Sequence, residues 1–62
     1  MTNDSIKIMD PVMLLSIMNM KLRDQYSSLD ILCYDLGISK EGILSRLDGI
    51  GYSYNERENQ FK

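Results

Sequence analysis

The 62-residue sequence predicts a mainly α domain, a three-helix bundle closed by a short C-terminal β-hairpin. Three observations carry that prediction. Asp10-Pro11 opens a long apolar-periodic stretch; the run from Leu29 to Leu47 has the pattern of two short amphipathic helices bent sharply at Gly37; and Tyr52-Ser53-Tyr54 and Gln60-Phe61-Lys62 flank a polar loop. The middle run has helix-turn-helix spacing, the bihelical corner by which a small bacterial domain most commonly offers a helix to DNA.

The elements follow in order. Residues 1–9 read as a flexible lead, or as a short strand of three residues at Ile6-Lys7-Ile8, where apolar and polar residues alternate. Residues 10–62 form the single folded domain. Asp10 caps the free amides of a first turn and Pro11 already has the backbone angle of a first helical position, so the first predicted helix starts there and runs to about Tyr26. Ser27 and Asp30 stand at capping-box spacing, with Asp in place of the usual Glu, and open a second helix that stops near Leu36. Gly37 supplies a left-handed terminus, and Ser39 caps a third helix over Lys40 to Asp48. Past Gly49 and Gly51 comes the hairpin. With Glu56 to Asn59 as its loop, Asn59 falls where a left-handed residue is wanted and Tyr54 stands directly across from Phe61.

One face of the second helix carries Leu29, Leu32, Cys33 and Leu36 at three- and four-residue spacings. Ile38 plugs the turn, and Ile43, Leu47 and Ile50 continue the stripe on the third helix. Cys33 sits where a helix-turn-helix usually places alanine, at the closest approach of the two helices, and is read as structural. A reactive thiol needs a helix start or basic neighbours, and Tyr34 and Asp35 provide neither.

From the first helix through the hairpin, the order of elements resembles a small winged-helix-like domain with residues 52–62 as the wing. A closer resemblance rests on Asp10-Pro11-Val12-Met13-Leu14-Leu15-Ser16, on Lys21-Leu22-Arg23-Asp24-Gln25-Tyr26-Ser27-Ser28-Leu29-Asp30, and on Ile50-Gly51-Tyr52-Ser53-Tyr54 with Asn59-Gln60-Phe61. These segments resemble a family of small uncharacterised bacterial domains, a domain of unknown function. The resemblance implies a compact bacterial domain, and neither an activity nor a functional residue comes with it.

Composition narrows the classes further. At this size folding hides only about 60% of the surface an unfolded chain exposes, so the core must be thin. Hydrophobic residues at 44% and charged ones at 26% are ordinary globular values. No apolar run approaches the roughly 20 residues of a membrane span, and Met1-Thr2-Asn3-Asp4 lacks the basic start of a secretory signal, so a cytoplasmic location is expected. One cysteine and no histidine give neither an internal disulfide nor the usual zinc ligands, so no metal or cofactor is expected. Without histidine or a phosphate-cradling glycine loop the sequence argues against an enzyme. Asp30 and Asp35 diverge on a helix, and the tyrosines read as core edges with their hydroxyls in water.

The DNA reading meets a charge problem. The formal charge is −2, from seven basic and nine acidic residues. Advancing 100° per residue points Glu41, Gly42, Ser45, Asp48 and Gly49 outward from the third helix, with Arg46 beside the core. A helix in the major groove needs Arg, Lys, Asn or Gln at base edges and phosphates on either side. Under this alternative, a small DNA-binding transcriptional regulator, the contacts would be Ser39, Lys40, Ser45, Arg57 and Lys62, with Lys62 alone free of close acidic neighbours. Binding to nucleic acid as a monomer is therefore expected to be poor.

The first helix offers another surface. Leu14, Leu15, Met18 and Leu22 make one apolar stripe, and Met13, Ile17 and Met20 make a second about 120° away, with Ser16, Asn19 and Arg23 on the polar side. The second stripe is either covered by Ile6, Ile8, Tyr52, Tyr54 and Phe61 or left exposed for a protein partner or a second copy, a role that suits flexible methionine. The sequence thus points first to a non-enzymatic protein-interaction or self-association module, a possible homodimer through Met13, Ile17 and Met20.

Overall fold

The computed structural model describes residues 1–62 and contains four helices and a two-stranded antiparallel hairpin. Helix α1 spans Asn3–Ile8, α2 Pro11–Asp24, α3 Leu29–Leu36 and α4 Lys40–Asp48; strands β1 and β2 are Tyr54–Asn55 and Gln60–Phe61. The mainly helical class with a C-terminal hairpin is as the sequence predicted, with one helix more.

That helix, α1, replaces the lead or strand expected over residues 1–9. Thr2 and Ser5 form a reciprocal capping box, each side-chain oxygen accepting the other's amide, at 3.0 and 3.1 Å. Burial separates the two geometries. A strand would place Ile6 and Ile8 on one face, whereas Ile6 is buried and Ile8 is 86% exposed. The Asn3 side-chain oxygen accepts the Ser39 amide at 2.7 Å, and Arg46 donates to the carbonyl of Met9, the C-cap of α1, so both ends of α1 are held to α4.

The remaining helices form for local reasons. Asp10 Oδ1 accepts the Val12 amide at 3.2 Å with Pro11 at the first helical position. Helix α2 ends at Asp24, slightly before the expected Tyr26. Helix α3 is capped by Ser28 rather than Ser27: Ser28 is extended and its hydroxyl accepts the Ile31 amide at 3.2 Å, which makes the buried Leu29 the first helical residue. Gly37 has φ 66°, and the next amide, from buried Ile38, returns to the Cys33 carbonyl at 3.0 Å to close the turn. Ser39 then caps α4 through the Gly42 amide at 3.1 Å.

The core is built from Ile6 of α1, Leu14, Met18 and Leu22 of α2, Leu29, Leu32 and Cys33 of α3, Ile38, Ile43 and Leu47 of the turn and α4, and Phe61 of β2. Leu36 and Ile50, expected inside, are half-buried at its edge.

Polar groups dock the hairpin. The register places Tyr54 opposite Phe61 and Asn55 opposite Gln60, with the two aromatic rings 5.5 Å apart. Asn59 takes the left-handed conformation at φ 54°. From that position its Nδ2 donates to the carbonyls of Leu22 and Tyr26, both at 2.9 Å, meeting an acceptor that the C-terminus of α2 leaves open. Its Oδ1 accepts the Tyr54 hydroxyl at 2.6 Å, and that hydroxyl in turn accepts the Leu29 amide at the start of α3 at 3.2 Å. Asn19 faces β2: its Oδ1 accepts the Phe61 amide at 2.7 Å and its Nδ2 donates to the Phe61 carbonyl at 3.2 Å. Gln60 Nε2 adds a bond to the Asn19 carbonyl at 3.1 Å.

Two variants separate the contributions of Asn59. Asn59→Ala loses its side-chain bonds and places a Cβ-bearing, non-amide residue at positive φ, at a cost of about 2–4 kcal/mol against a total of roughly 3–9 kcal/mol for a domain this size. Asn59→Gly tolerates the backbone angle and loses only the bonds, so it should lie between wild type and Asn59→Ala in urea denaturation followed by circular dichroism. Equal midpoints for all three proteins would show that the docking does not contribute to stability.

Candidate functional site

The two apolar stripes of α2 have different fates. Leu14, Met18 and Leu22 are buried and Leu15 is half-buried against the core, so the first stripe is the packing face. On the second, Ile17 is half-buried at the core edge, while Met13 and Met20 remain 56% and 45% exposed. The groups expected to cover them lie elsewhere: Ile6 is in the core, Ile8 is itself in solvent, and Phe61 packs beneath Asn19 on the other side of α2. Met13 and Met20 are seven residues apart, so they recur on one line of the helix surface about 10 Å along its axis. Val12, near the start of α2, is 58% exposed as well.

Asn19, placed by helical geometry on the polar side of α2, is a half-buried clamp on β2. Its proximity on the wheel to Leu15 and Leu22 is the sequence signal that it would be drawn inward.

The residues proposed for DNA contact do not converge on one basic surface. Ser39 spends its hydroxyl capping α4. Lys40 Nζ is paired with Asp30 Oδ1 at 2.8 Å, and that hydrogen-bonded contact raises the lysine pKa. Lys62, expected to be free of acidic neighbours, is paired with Glu58: the hairpin bend sets the two on one side four residues apart. Arg57 is exposed in the hairpin loop and Ser45 on the outer face of α4. These are mostly exposed ion pairs, worth little to stability, yet each places a carboxylate beside the cation that phosphate would need.

A groove of about 310 Å³ opens between α4 and the approach to the hairpin, lined by Leu44, Ser45, Asp48, Tyr52, Ser53 and Tyr54. The sequence reading assigned Ser45 and Asp48 to the outer face but did not bring them together with Tyr52–Tyr54. Contact between them depends on the path through Gly51, at φ 85°, and on the Tyr52 amide returning to the Leu47 carbonyl at 3.0 Å.

Burial pushes the Cys33 thiol up, partly offset by Lys40. The Tyr26 hydroxyl donates to Asp35 Oδ2 at 2.5 Å, and this bond, followed by burial, raises its pKa. No cluster of three or more His, Cys, Asp or Glu side chains is arranged to hold a metal ion, and no helix is long and apolar enough to cross a membrane.

Residues 8–61 match the family model described as a domain of unknown function (DUF4250). Neither the curated proteins nor the solved structures contain a significant match to the chain.

The Cys33 environment has a measurable consequence. Its protonated form is favoured in the folded state, so that stabilisation is complete below the unfolded thiol pKa and is lost as pH rises through the higher folded value. Native protein at pH 8 should react with a soluble thiol reagent far more slowly than protein in denaturant; equal rates would show an accessible thiolate. For Tyr26 the sign is the same. In ultraviolet titration, Asp35→Asn should let Tyr26 ionise at lower pH than in the wild type, with the part of the delay due to burial remaining; unchanged curves would remove the assigned cause.

Proposed function

The chain belongs to the DUF4250 domain family, and on that footing we propose that it is a non-enzymatic protein-contact module that self-associates through the outer face of α2. The observation that carries the reading is the exposure of Met13 and Met20 in a domain whose other long apolar side chains on α2 are wholly or partly buried. A thin core has every reason to recruit such residues, so leaving them in water has a cost that a partner would recover. Methionine side chains adapt to an irregular surface, including an identical one related by a two-fold axis.

Magnitudes set the expected strength. Covering the exposed half of a methionine contributes about 1 kcal/mol, so four methionines from two copies, with Val12 and Ile17 at the margin, contribute roughly 4–6 kcal/mol. Association costs at least about 4 kcal/mol in lost freedom, so these side chains alone leave at most about 2 kcal/mol; a millimolar dimer needs about 4 kcal/mol net and therefore requires the contact to extend over further surface beside α2. A soluble domain with such a face would meet a partner reversibly.

DNA binding is the alternative, motivated by the corner of α3 and α4. The pairing of Lys40 with Asp30 and of Lys62 with Glu58 favours the protein-contact reading instead. A monomer offering so few free cations falls short of the roughly 6–10 phosphate contacts of a strongly salt-dependent complex.

Sedimentation equilibrium distinguishes these readings. Wild-type protein should show a mass that rises with concentration, and the variant Met13→Glu/Met20→Glu, altered only at exposed positions, should stay monomeric with an unchanged helical spectrum. A strictly monomeric wild type at millimolar concentration would end the self-association proposal. In gel shifts with random-sequence duplex DNA at low ionic strength, no retarded species is expected; a complex whose affinity falls steeply with salt would revive the regulator.

A further inference from the structure

The geometry points to a second contact site, distinct from the α2 face: the free edge of β1 and the groove beside it form a strand-addition site for an extended peptide segment carrying a basic side chain.

The argument starts from the hairpin's hydrogen bonds. Ser53 and Lys62 exchange both backbone bonds, amide to carbonyl, at 3.0 and 2.9 Å. In an antiparallel ladder such pairs alternate with pairs whose amides and carbonyls point outward, so Tyr54 and Phe61, one step further, direct theirs away from each other. On the β2 side those groups are satisfied, because the Asn19 carboxamide accepts from the Phe61 amide and donates to the Phe61 carbonyl as a neighbouring strand would. The β1 side has no such partner. The Tyr54 amide and carbonyl face outward with the donor-acceptor spacing of a strand edge, a pattern that an extended backbone complements.

The groove lies beside this edge. It is lined by Tyr52, Ser53 and Tyr54 in succession, residues of both facings, as an edge rather than one face of a strand would supply. The rest of the lining comes from α4, through Leu44, Ser45 and Asp48. Strand edge and helix thus bound a channel into which an added strand could direct one side chain while its backbone pairs with Tyr54.

Charge selects the occupant. Asp48 is the sole charged residue lining the groove, and Glu41 stands two turns earlier on the same exposed face of α4. The cations on the adjoining elements are engaged, Lys40 by Asp30, Lys62 by Glu58 and Arg46 by the Met9 carbonyl. A lysine or arginine in the added segment would meet Asp48, with its aliphatic stem against Leu44 and the partly exposed ring of Tyr52.

Amide spectra of the isotopically labelled full chain test the site, using a synthetic acetylated and amidated pentapeptide of alternating valine and lysine as probe. Shifts should be confined to residues 44–54, with the Tyr54 amide moving downfield and exchanging more slowly with solvent. A counterpart N-methylated at every amide should bind about tenfold more weakly, since it cannot donate to the Tyr54 carbonyl. An alternating valine–glutamate peptide should also bind more weakly, and the exposed substitution Asp48→Lys should reverse that charge preference while amide dispersion reports a retained fold. Equal binding of the N-methylated peptide, no charge preference, shifts at Met13 and Met20 instead, or no shifts at all would each overturn the assignment.

Discussion

The carboxamide of Asn59 is the contact on which the arrangement of this domain most depends. It occupies a left-handed position at the end of the hairpin loop and bonds to carbonyls of Leu22 and Tyr26. Through the Tyr54 hydroxyl it also reaches the first amide of α3. One side chain thus ties together the end of α2, the start of α3 and the turn of the hairpin. A hairpin with two-residue strands is not stable by itself, so its place in the fold comes from these bonds and from Phe61, which brings its ring into the core. Asn19 completes the attachment by standing in for the strand that β2 lacks.

The same attachment shapes the surface. Holding β2 against α2 uses the Asn19 side of that helix and leaves the Met13 and Met20 side bare. It also makes β1 the outer strand, next to α4. The two candidate contact surfaces are consequences of how a small domain closes its core. The bihelical corner of α3 and α4 serves that closure through Leu32, Cys33, Ile38, Ile43 and Leu47, and on the outside of α4 Glu41 and Asp48 are acidic, Ser39 is a cap and Lys40 is paired. Its form is that of a DNA-reading element, whereas its outward charges are not those that phosphate contacts require.

Much of the local structure was readable from residue types alone. Asp10-Pro11, Gly37 and Ser39 each state a helix boundary through backbone chemistry, and α4 has the bounds those signals imply. Tyr54 opposite Phe61 follows from loop length, and the conformation of Asn59 from its tolerance of positive φ. The lead was harder. Ile6-Lys7-Ile8 alternates as a strand does, but three residues cannot reveal a period, and a helix of six residues gains its support from the Asn3 and Arg46 contacts with distant parts of the chain. Ser27 and Ser28 are chemically equivalent caps; the burial of Leu29 selects between them. Lys62 looked unpaired because sequence spacing does not show which side of a hairpin a terminal residue shares with Glu58.

By itself, then, the sequence determined the helical class, the boundaries of α2 to α4 to within a few residues, the hairpin and its register, and most of the buried positions. These depend on periodicity, caps and turn residues, which act over a few neighbours. Tertiary structure alone decided that α1 is a helix, that Asn19 clamps β2, that Met13 and Met20 stay in water, and that Ser45 and Asp48 share a groove with Tyr52–Tyr54. The physical reason is that exposure and long-range hydrogen bonding belong to pairs of surfaces. Whether a face of α2 is covered depends on where a hairpin some forty residues away comes to rest, and no pattern within the helix encodes that.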